Sequence, residues 1–430
     1  MLIFSEYDSP RFAYACSILL SDLDGNWRIT NDRDEIKKCE GPCIVYGHEP
    51  LQKNCIFVQS NSLLWNSQVV EFDIGRGTWK DLPTIFPTSA GEIPLDIFSA
   101  IFYLISRYEE YLPFNDDALG RFPSSQSLAS RYGFLRRPVI DLWRGQFQEV
   151  LLAKWPQLRF RDPVFRVMAT IDVDSAFAYK HKGFVRTIGG VAGDITRLKF
   201  GNLLRRINCL SGGCDDPFET YDYIRTYTSS LNVECIFFFL LANFSKYDIN
   251  VSHRSEALRA RIKELSQSNV VGIHPGMASN ESVSILEMEK RRLEEITGAA
   301  CTVSRQHFLM LRFPETYRRL IAVGILEDYT MGFAHDVGFR AGTSRPFHWF
   351  DLESNKVSEL LVHPITAMDS TLNSYLGLSP EQALEVTKEM IRDIKNCGGV
   401  FCSLFHNETL SETGTWKGWR RVWEETLRME

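Results

Sequence analysis

Two aspartates separated by one residue follow an apolar segment near the middle of the chain, in Thr170-Ile171-Asp172-Val173-Asp174. Because side chains alternate along a strand with a period of two, both carboxylates are expected on the same side. One could bind a metal ion while the other accepts a proton from a water molecule that the metal makes acidic. An Asx turn or a helix cap after the strand would produce the same pattern.

Three histidines and an arginine also follow apolar segments. His274 ends Val270-Val271-Gly272-Ile273, and imidazole with carboxylate is a common zinc-binding combination, although a lone histidine is more often an ordinary hydrogen-bonded residue. Arg305 could hold a catalytic carboxylate and His307 could be a further metal ligand or a substrate contact. A surface salt bridge and a satisfied core histidine are the alternatives for these two. His406, after the last apolar segment, could act as a general acid.

Short apolar strands that alternate with helices after residue 164 would position these residues. This alternation favours parallel β/α units, and in a β/α barrel the carboxyl ends of all strands open onto the face that carries the chemistry. The pattern predicts seven strands: Phe165–Ile171, Cys235–Leu241, Asn269–Ile273, Cys301–Ser304, Gly324–Glu327, Glu359–Val362 and Val400–Phe405. Helices are predicted over about 282–296 and over Pro380–Asn396, the latter with a capping box from Ser379 and Gln382.

The first 160 residues read as a separate, smaller α/β domain. Strand-like runs at Ile44–Tyr46 and Cys55–Val58 precede an amphipathic helix that opens near Pro94. A boundary is expected at Arg159–Pro163, which divides the chain into residues 1–160 and 161–430. This N-terminal part carries no interpretable chemical signal, so substrate positioning or partner docking is only a hypothesis for it.

Composition narrows the class of protein. The chain has 430 residues, 44% of them hydrophobic, and its 48 basic and 54 acidic residues are mixed along the sequence. Neither nucleic acid nor an anionic membrane is therefore expected as the main partner. No secretory signal or bilayer-spanning run is evident, and the ten scattered cysteines are interpreted as mostly reduced thiols, which together favour a cytoplasmic protein. No nucleotide cofactor is expected.

Taken in order, Asp172-Val173-Asp174, Gly272-Ile273-His274-Pro275, Arg305 and Leu404-Phe405-His406 resemble the motifs of the polysaccharide deacetylase superfamily, of the carbohydrate esterase family 4 type. The segments 102–110, 120–123 and 338–343 are similar to segments of bacterial members with an extra N-terminal domain. The resemblance thus covers nearly the whole chain. It implies a distorted seven-stranded β/α barrel that hydrolyses an N-acetyl group on an amino sugar.

The resemblance also implies roles for individual residues. Asp172 matches the general base, Asp174 and His274 match metal ligands, Arg305 matches the arginine that orients the base, and His406 matches the general acid. The metal would be a divalent ion, with zinc favoured and cobalt or manganese as alternatives.

Three departures from the family pattern bear on these roles. Val173 separates the two aspartates, so the roles of base and ligand could be exchanged. Ala278 stands where the second metal-binding histidine is expected, and His307 is our hypothesis for the missing ligand. The proline and tyrosine expected after Arg305 are absent. A degenerate barrel that binds carbohydrate or a biosynthetic partner, or a hydrolase of a non-sugar amide, are therefore alternative functions.

Four further residues are candidate substrate contacts. Arg340 and Arg345 could bind a phosphate or an acidic sugar, and Trp349 could stack on a pyranose ring. A charged loop packed by aromatic residues would explain the same pattern. Asp369 could line the pocket or cap a helix.

Overall fold

The computed structural model describes residues 1–52 and 54–429 and begins with a small parallel sheet. The sheet has the strand order β2-β1-β3-β4, and β3 is buried along its whole length. A two-stranded antiparallel hairpin, β5–β6, follows it. These strands are β1 (Leu2–Ser5), β2 (Arg28–Thr30), β3 (Cys43–Gly47), β4 (Ile56–Gln59), β5 (Arg76–Trp79) and β6 (Leu82–Ile85). This part of the chain is mixed α/β, as predicted.

Among the described residues five α-helices accompany these strands, and one of them confirms a predicted segment. The helix expected to open near Pro94 begins after Asp96, whose side chain accepts a hydrogen bond from the Ser99 backbone N–H. The helices are α1 (Pro10–Leu19), α2 (Arg33–Lys37), α3 (Ile97–Ile105), α4 (Leu128–Arg131) and α5 (Val139–Lys154). Cys43 and Cys55 form a disulfide, and the other eight cysteines are free, which agrees with the expectation of mostly reduced thiols.

The remainder of the chain forms one nine-stranded sheet. Its order is β12-β13-β11-β10-β9-β8-β7-β15-β14, and every pair is parallel except β12–β13. Each of the seven predicted strands is present. The strands are β7 (Phe165–Val173), β8 (Glu234–Phe239), β9 (Val270–Ile273), β10 (Val303–Ser304), β11 (Glu327–Asp328), β12 (Phe347–Asp351), β13 (Lys356–Val362), β14 (Ala367–Met368) and β15 (Gly399–His406).

The connection between β13 and β14 shows how this sheet curves. Only residues 363–366 join these strands, although they lie at opposite ends of the parallel row. The sheet must therefore curl until its ends approach each other, as in a barrel. Within the described chain no ladder joins β13 to β14, so the arrangement differs from a closed seven-stranded barrel by an opening at this point and by the two added strands.

Helices cover the outside of the curled sheet, and their ends follow the expected local signals. Ser379 and Gln382 form the predicted capping box of α12, and Ser282 caps α10. None of the helices in residues 1–52 and 54–429 has the length and apolar content needed to cross a membrane. The helices are α6 (Phe184–Thr196), α7 (Phe200–Leu210), α8 (Tyr221–Ser230), α9 (Glu256–Leu265), α10 (Val283–Thr297), α11 (Glu315–Ala322), α12 (Pro380–Cys397) and α13 (Trp419–Leu427).

Candidate metal centre

Asp174, His274 and His307 converge at the carboxyl ends of three strands. Asp174 directly follows β7, His274 directly follows β9, and His307 lies three residues after β10. One carboxylate oxygen and one ring nitrogen from each histidine all lie within 4.8 Å of one another. The Nε2 atom of His274 is 3.2 Å from Asp174 Oδ1, and that of His307 is 3.5 Å from Oδ2. This is a three-sided cluster of nitrogen and oxygen ligands.

The His274 ring is oriented by the backbone. Its Nδ1 lies 2.6 Å from the carbonyl oxygen of Arg305, and because a carbonyl can only accept, Nδ1 carries the proton. The lone pair of the neutral ring is then on Nε2, the atom that faces Asp174. A second hydrogen bond of this kind is the usual way in which a metal-binding histidine is held.

The His307 ring is oriented by a carboxylate that sequence analysis did not identify. Its Nδ1 donates to Asp248 Oδ1 at 2.9 Å, and Asp248 is itself held by the backbone N–H of Met277 and the hydroxyl of Ser245. A carboxylate–histidine pair of this geometry is characteristic of zinc sites. The only sequence signal for Asp248 was its position in the loop after β8.

The donor set fits a divalent cation. Asp174 Oδ1 is buried without a hydrogen-bond partner, and a buried carboxylate oxygen left in this way needs a cation or a donor. One carboxylate with two neutral imidazoles is a typical ligand set for catalytic zinc, which leaves further coordination positions open. The residues present therefore fit the group that the sequence resemblance implied.

Charges inside the cluster shift its titration. Burial by itself raises the pKa of Asp174, but the charge of His307 and the close ring nitrogens of His274 and His307 lower that pKa well below its usual range. Burial lowers the pKa of His307, whereas the charges and hydrogen bonds of Asp174 and Asp248 raise it, to about 9 overall. A proton on His307 and a bound cation thus balance the same carboxylates, so binding a cation displaces that proton.

Asp172 is held separately from the ligand cluster. Arg305 Nη1 donates to Asp172 Oδ1 at 2.9 Å and to the Thr170 hydroxyl at 2.6 Å, and its Nε donates to the Tyr329 carbonyl at 2.9 Å. The other oxygen, Oδ2, lies 3.7 Å from His274 Nε2. This arrangement favours Asp174 as the ligand and leaves Asp172 available as a base, in the order that the resemblance implied.

His406, the last residue of β15, reaches the cluster from the strand next to β7, where it lies level with Asp172. Its Nδ1 lies 2.8 Å from Asp369 Oδ1, and its Nε2 lies 3.7 Å from Asp174 Oδ2. The backbone N–H of His406 and the hydroxyl of Thr409 also donate to Asp369. Burial lowers the pKa of His406, but the charge and hydrogen bond of Asp369, followed by the charges of Asp174 and Asp172, raise it well above its ordinary value. The surrounding carboxylates therefore favour the protonated form of His406.

These groups line one cavity of about 160 Å³. Its other walls are largely apolar, with Leu309, Ala334, Met368 and Leu404 beside Ser370 and Tyr375. Arg121, from the N-terminal segment 120–123, also lines it, with its Nη1 donating to the Phe308 carbonyl at 2.6 Å. Asp369 lies behind the wall, where it holds His406 rather than facing the cavity.

Three predicted substrate contacts lie elsewhere. Arg340 is buried and binds the Glu110 carboxylate, with its Nε 2.9 Å from Oε1. Arg345 Nη1 contacts both oxygens of Asp22 at 2.8 Å. Trp349 is 1% exposed and its ring packs against Tyr317. Because all three face other parts of the protein, the structure does not bring them to the cavity, and we retain no substrate-binding role for them.

Ala278 is also outside the cluster. It is exposed and lies in a short 3₁₀ turn, Met277–Asn280, after β9. The position at which the family pattern places its second histidine therefore faces away from the ligands, and His307 occupies the third corner instead.

Comparison with known proteins gives one family match and several structural likenesses. A family of unknown function, DUF7033, matches residues 1–156. No curated protein matches the chain.

The structural likenesses concern a little under two-thirds of the chain. A proposed polysaccharide deacetylase from Mycobacterium smegmatis is 16% identical, with a TM-score of 0.41, over 63% of this chain and 87% of that one. Puue allantoinase is 11% identical, with a TM-score of 0.35, over 61% and 84%. A proposed polysaccharide deacetylase from Pseudomonas aeruginosa PAO1 is 12% identical, with a TM-score of 0.38, over 64% and 86%. These TM-scores are all below 0.5, so the likenesses carry no argument about function.

Proposed function

We propose that this protein is a metal-dependent hydrolase that removes the N-acetyl group from an amino sugar. The observation that carries the proposal is a single cavity bounded by three kinds of group: the ligand cluster Asp174, His274 and His307, an arginine-held carboxylate, and an aspartate-held imidazolium. Amide hydrolysis needs an electrophile, a base and an acid around one carbonyl, and these groups supply all three.

A divalent cation held by the cluster supplies a Lewis acid and makes a water molecule acidic. Asp172 accepts a proton from the attacking water, because Arg305 occupies its Oδ1 and leaves Oδ2 towards the cavity. Arg305 is fully buried, so it positions the base without touching the substrate.

His406 donates a proton to the departing nitrogen. Amine expulsion requires protonation of the leaving group, and an imidazolium stabilised by Asp369 is suited to this step. Its Nε2 is the ring atom nearest the ligand cluster, 3.7 Å from Asp174 Oδ2, so the proton is delivered from this atom. Asp369 then favours the return of a proton to His406 after each turnover.

The size of the cavity suits a short acyl group. A space of about 160 Å³ is well below the roughly 300–1,000 Å³ of sites that enclose a drug-sized ligand. An acetyl group and its nitrogen would enter, while the sugar ring would remain at the mouth near Arg121. The sugar itself is inferred from the sequence resemblance to polysaccharide deacetylases.

The decisive experiment measures acetate release from a panel of N-acetyl sugars by the protein loaded with zinc, cobalt or manganese, together with its metal content. Wild type is expected to bind about one ion and to release acetate, whereas Asp172→Asn should bind the same ion and lose at least about a hundredfold in rate, as expected for removal of a general base.

Asp81→Asn, in the exposed turn between β5 and β6, is the matched control and should retain full activity. A protein that takes up none of the three metals would contradict the proposal and favour the degenerate barrel. Metal uptake with release of ammonia or another amine from a small non-sugar amide, and no acetate from any sugar, would favour the alternative hydrolase.

A further inference from the structure

The helical hairpin formed by α6 and α7 carries an apolar surface with no protein partner among the described residues. On α6, Phe184, Val185, Ile188 and Ile195 are 80%, 81%, 51% and 49% exposed. At 100° per residue these positions fall on one face of the helix. Side chains of this kind are normally inside a protein, and a contiguous exposed group of them marks an interaction surface.

The second helix continues the same surface. Phe200, Leu204 and Ile207 share one face of α7 and are 57%, 69% and 51% exposed, and Leu198, in the turn between the helices, is 72% exposed. The two helices are held together from behind, because Arg206 Nε binds Asp194 Oδ2 at 2.7 Å. The hairpin therefore presents the apolar side chains of both helices to solvent.

The charge of this hairpin is opposite to that of the whole protein. Residues 180–210 contain seven lysines and arginines and a single acid, Asp194, which is already paired, whereas the chain carries a net charge of −6. Arg197, Lys199 and Arg205 are exposed beside the apolar side chains. Apolar residues flanked by cations are the pattern of helices that lie in the surface of an anionic bilayer.

We propose that the α6–α7 hairpin docks this protein onto an anionic membrane surface, with its apolar face between the lipid headgroups. A nucleic acid would use the cations but would leave the apolar face in water. A second copy of the chain would bring two equally basic hairpins together, so the charge is complementary to anionic lipid and not to itself.

The hairpin is anchored close to the candidate metal centre. Arg186 of α6 donates to the carbonyl oxygens of Asn250 and Ile249, in the loop that also supplies Asp248. The hairpin also follows Asp174 by only nine residues. Docking would therefore place the carboxyl-end face of the sheet, where the cavity opens, near the membrane. The docking proposal stands independently of the proposed hydrolysis, because it concerns lipid binding only.

Co-sedimentation of the full-length protein with vesicles tests the proposal. Vesicles of phosphatidylcholine containing about 30% phosphatidylglycerol are compared with pure phosphatidylcholine, and binding to the anionic vesicles should be at least about tenfold stronger and should weaken as sodium chloride is raised. The double variant Phe184→Asp/Leu204→Asp should lose about tenfold or more, as should Arg197→Glu/Arg205→Glu. Because all four side chains are exposed, these variants should keep the thermal midpoint of wild type.

Leu326→Asp is the matched control, since Leu326 is 50% exposed and immediately precedes β11, at the amino end of the sheet. It should bind vesicles like wild type. Equal binding of wild type to neutral and anionic vesicles, or equal loss in Leu326→Asp, would overturn the proposal. A third result would also overturn it: wild type is a dimer that does not bind vesicles, and Phe184→Asp/Leu204→Asp is a monomer. The apolar face would then be an interface between copies of the chain.

Discussion

Replacing Asp248 by asparagine should weaken metal binding although Asp248 is not one of the proposed ligands. Asparagine keeps the side-chain size and an oxygen that can accept from the Met277 backbone N–H, but it removes the charge that faces His307 Nδ1 at 2.9 Å. Asp248 is 2% exposed, so water cannot take over its role. Loss of such an orienting carboxylate typically costs 10–100-fold in metal affinity, which is roughly 1.4–2.8 kcal/mol.

The deficit should depend on pH in a defined direction. Without a cation the pKa of His307 is about 9, so below that pH a proton must leave before the metal binds, and affinity should rise about tenfold per pH unit until it levels off above about 9. Burial lowers the pKa of His307, and the charges of Asp174 and Asp248 raise it. Asp248→Asn removes one of these two charges, so the pKa of His307 should fall. The competing proton becomes weaker, and this partly offsets the lost orientation near neutral pH. The deficit should therefore be larger above about pH 9 than at pH 7.

Competition for zinc with a chromophoric chelator, measured at both pH values, checks this reasoning. Asp81→Asn serves again as the control, and His307→Ala should lose more affinity than Asp248→Asn because it removes the ligand itself. Equal zinc affinity in wild type and Asp248→Asn at both pH values would refute the assignment of Asp248. A deficit that shrinks as pH rises would refute the proton competition.

Three other variants test different parts of the structure. Glu110→Gln should lower the free energy of unfolding by about 3–5 kcal/mol, measured by urea unfolding, because it leaves Arg340 as a buried charge without its partner; an unchanged midpoint would show that the pair is not needed. Burial raises the pKa of the Glu289 carboxyl to about 7, so wild type should lose stability as pH rises from about 4.5 to 7. Glu289→Gln still accepts a hydrogen bond from the Gly276 backbone N–H but does not titrate. Its thermal midpoint should therefore fall less between pH 5 and pH 8 than that of wild type. Equal pH profiles would contradict this. Arg121→Ala should raise KM for a sugar substrate about tenfold with little change in kcat, and a fall in kcat alone would place Arg121 among the catalytic groups instead.

Strand positions could be predicted from sequence because a strand that is buried on both faces consists mainly of consecutive apolar residues. β7, β8 and β15 are mainly apolar, and each predicted range lies within a few residues of the observed strand. Residues at the ends of predicted strands, such as Asp174 after β7 and His274 after β9, could therefore be assigned to one edge of the sheet. The short strands β12 and β14 could not, since two or five residues carry no clear period.

Residues whose roles depend on long-range contacts were harder to predict. Asp248 reaches His307 across 59 positions, and nothing in its own neighbourhood distinguishes it from other loop aspartates. Arg340 shows the opposite error, because an arginine in a polar loop resembles a phosphate contact until its partner Glu110 is known. The basic character of the α6–α7 hairpin was also missed. The net charge is a sum over the whole chain, and it does not show that the segment 180–210 is basic.

The buried pairing of Arg340 with Glu110 also constrains how the two regions of the chain can evolve. Arg107 binds the same Glu110 carboxylate and donates to the Arg340 carbonyl, so the N-terminal segment and the large sheet share one charge balance. If only one side of this pairing changed, an unmatched charge would be left in the interior. We therefore expect the two regions to be encoded together in one gene. Substitutions at positions 107, 110 and 340 should be correlated among related proteins. Chimeric proteins that combine the two regions from different relatives should fold poorly.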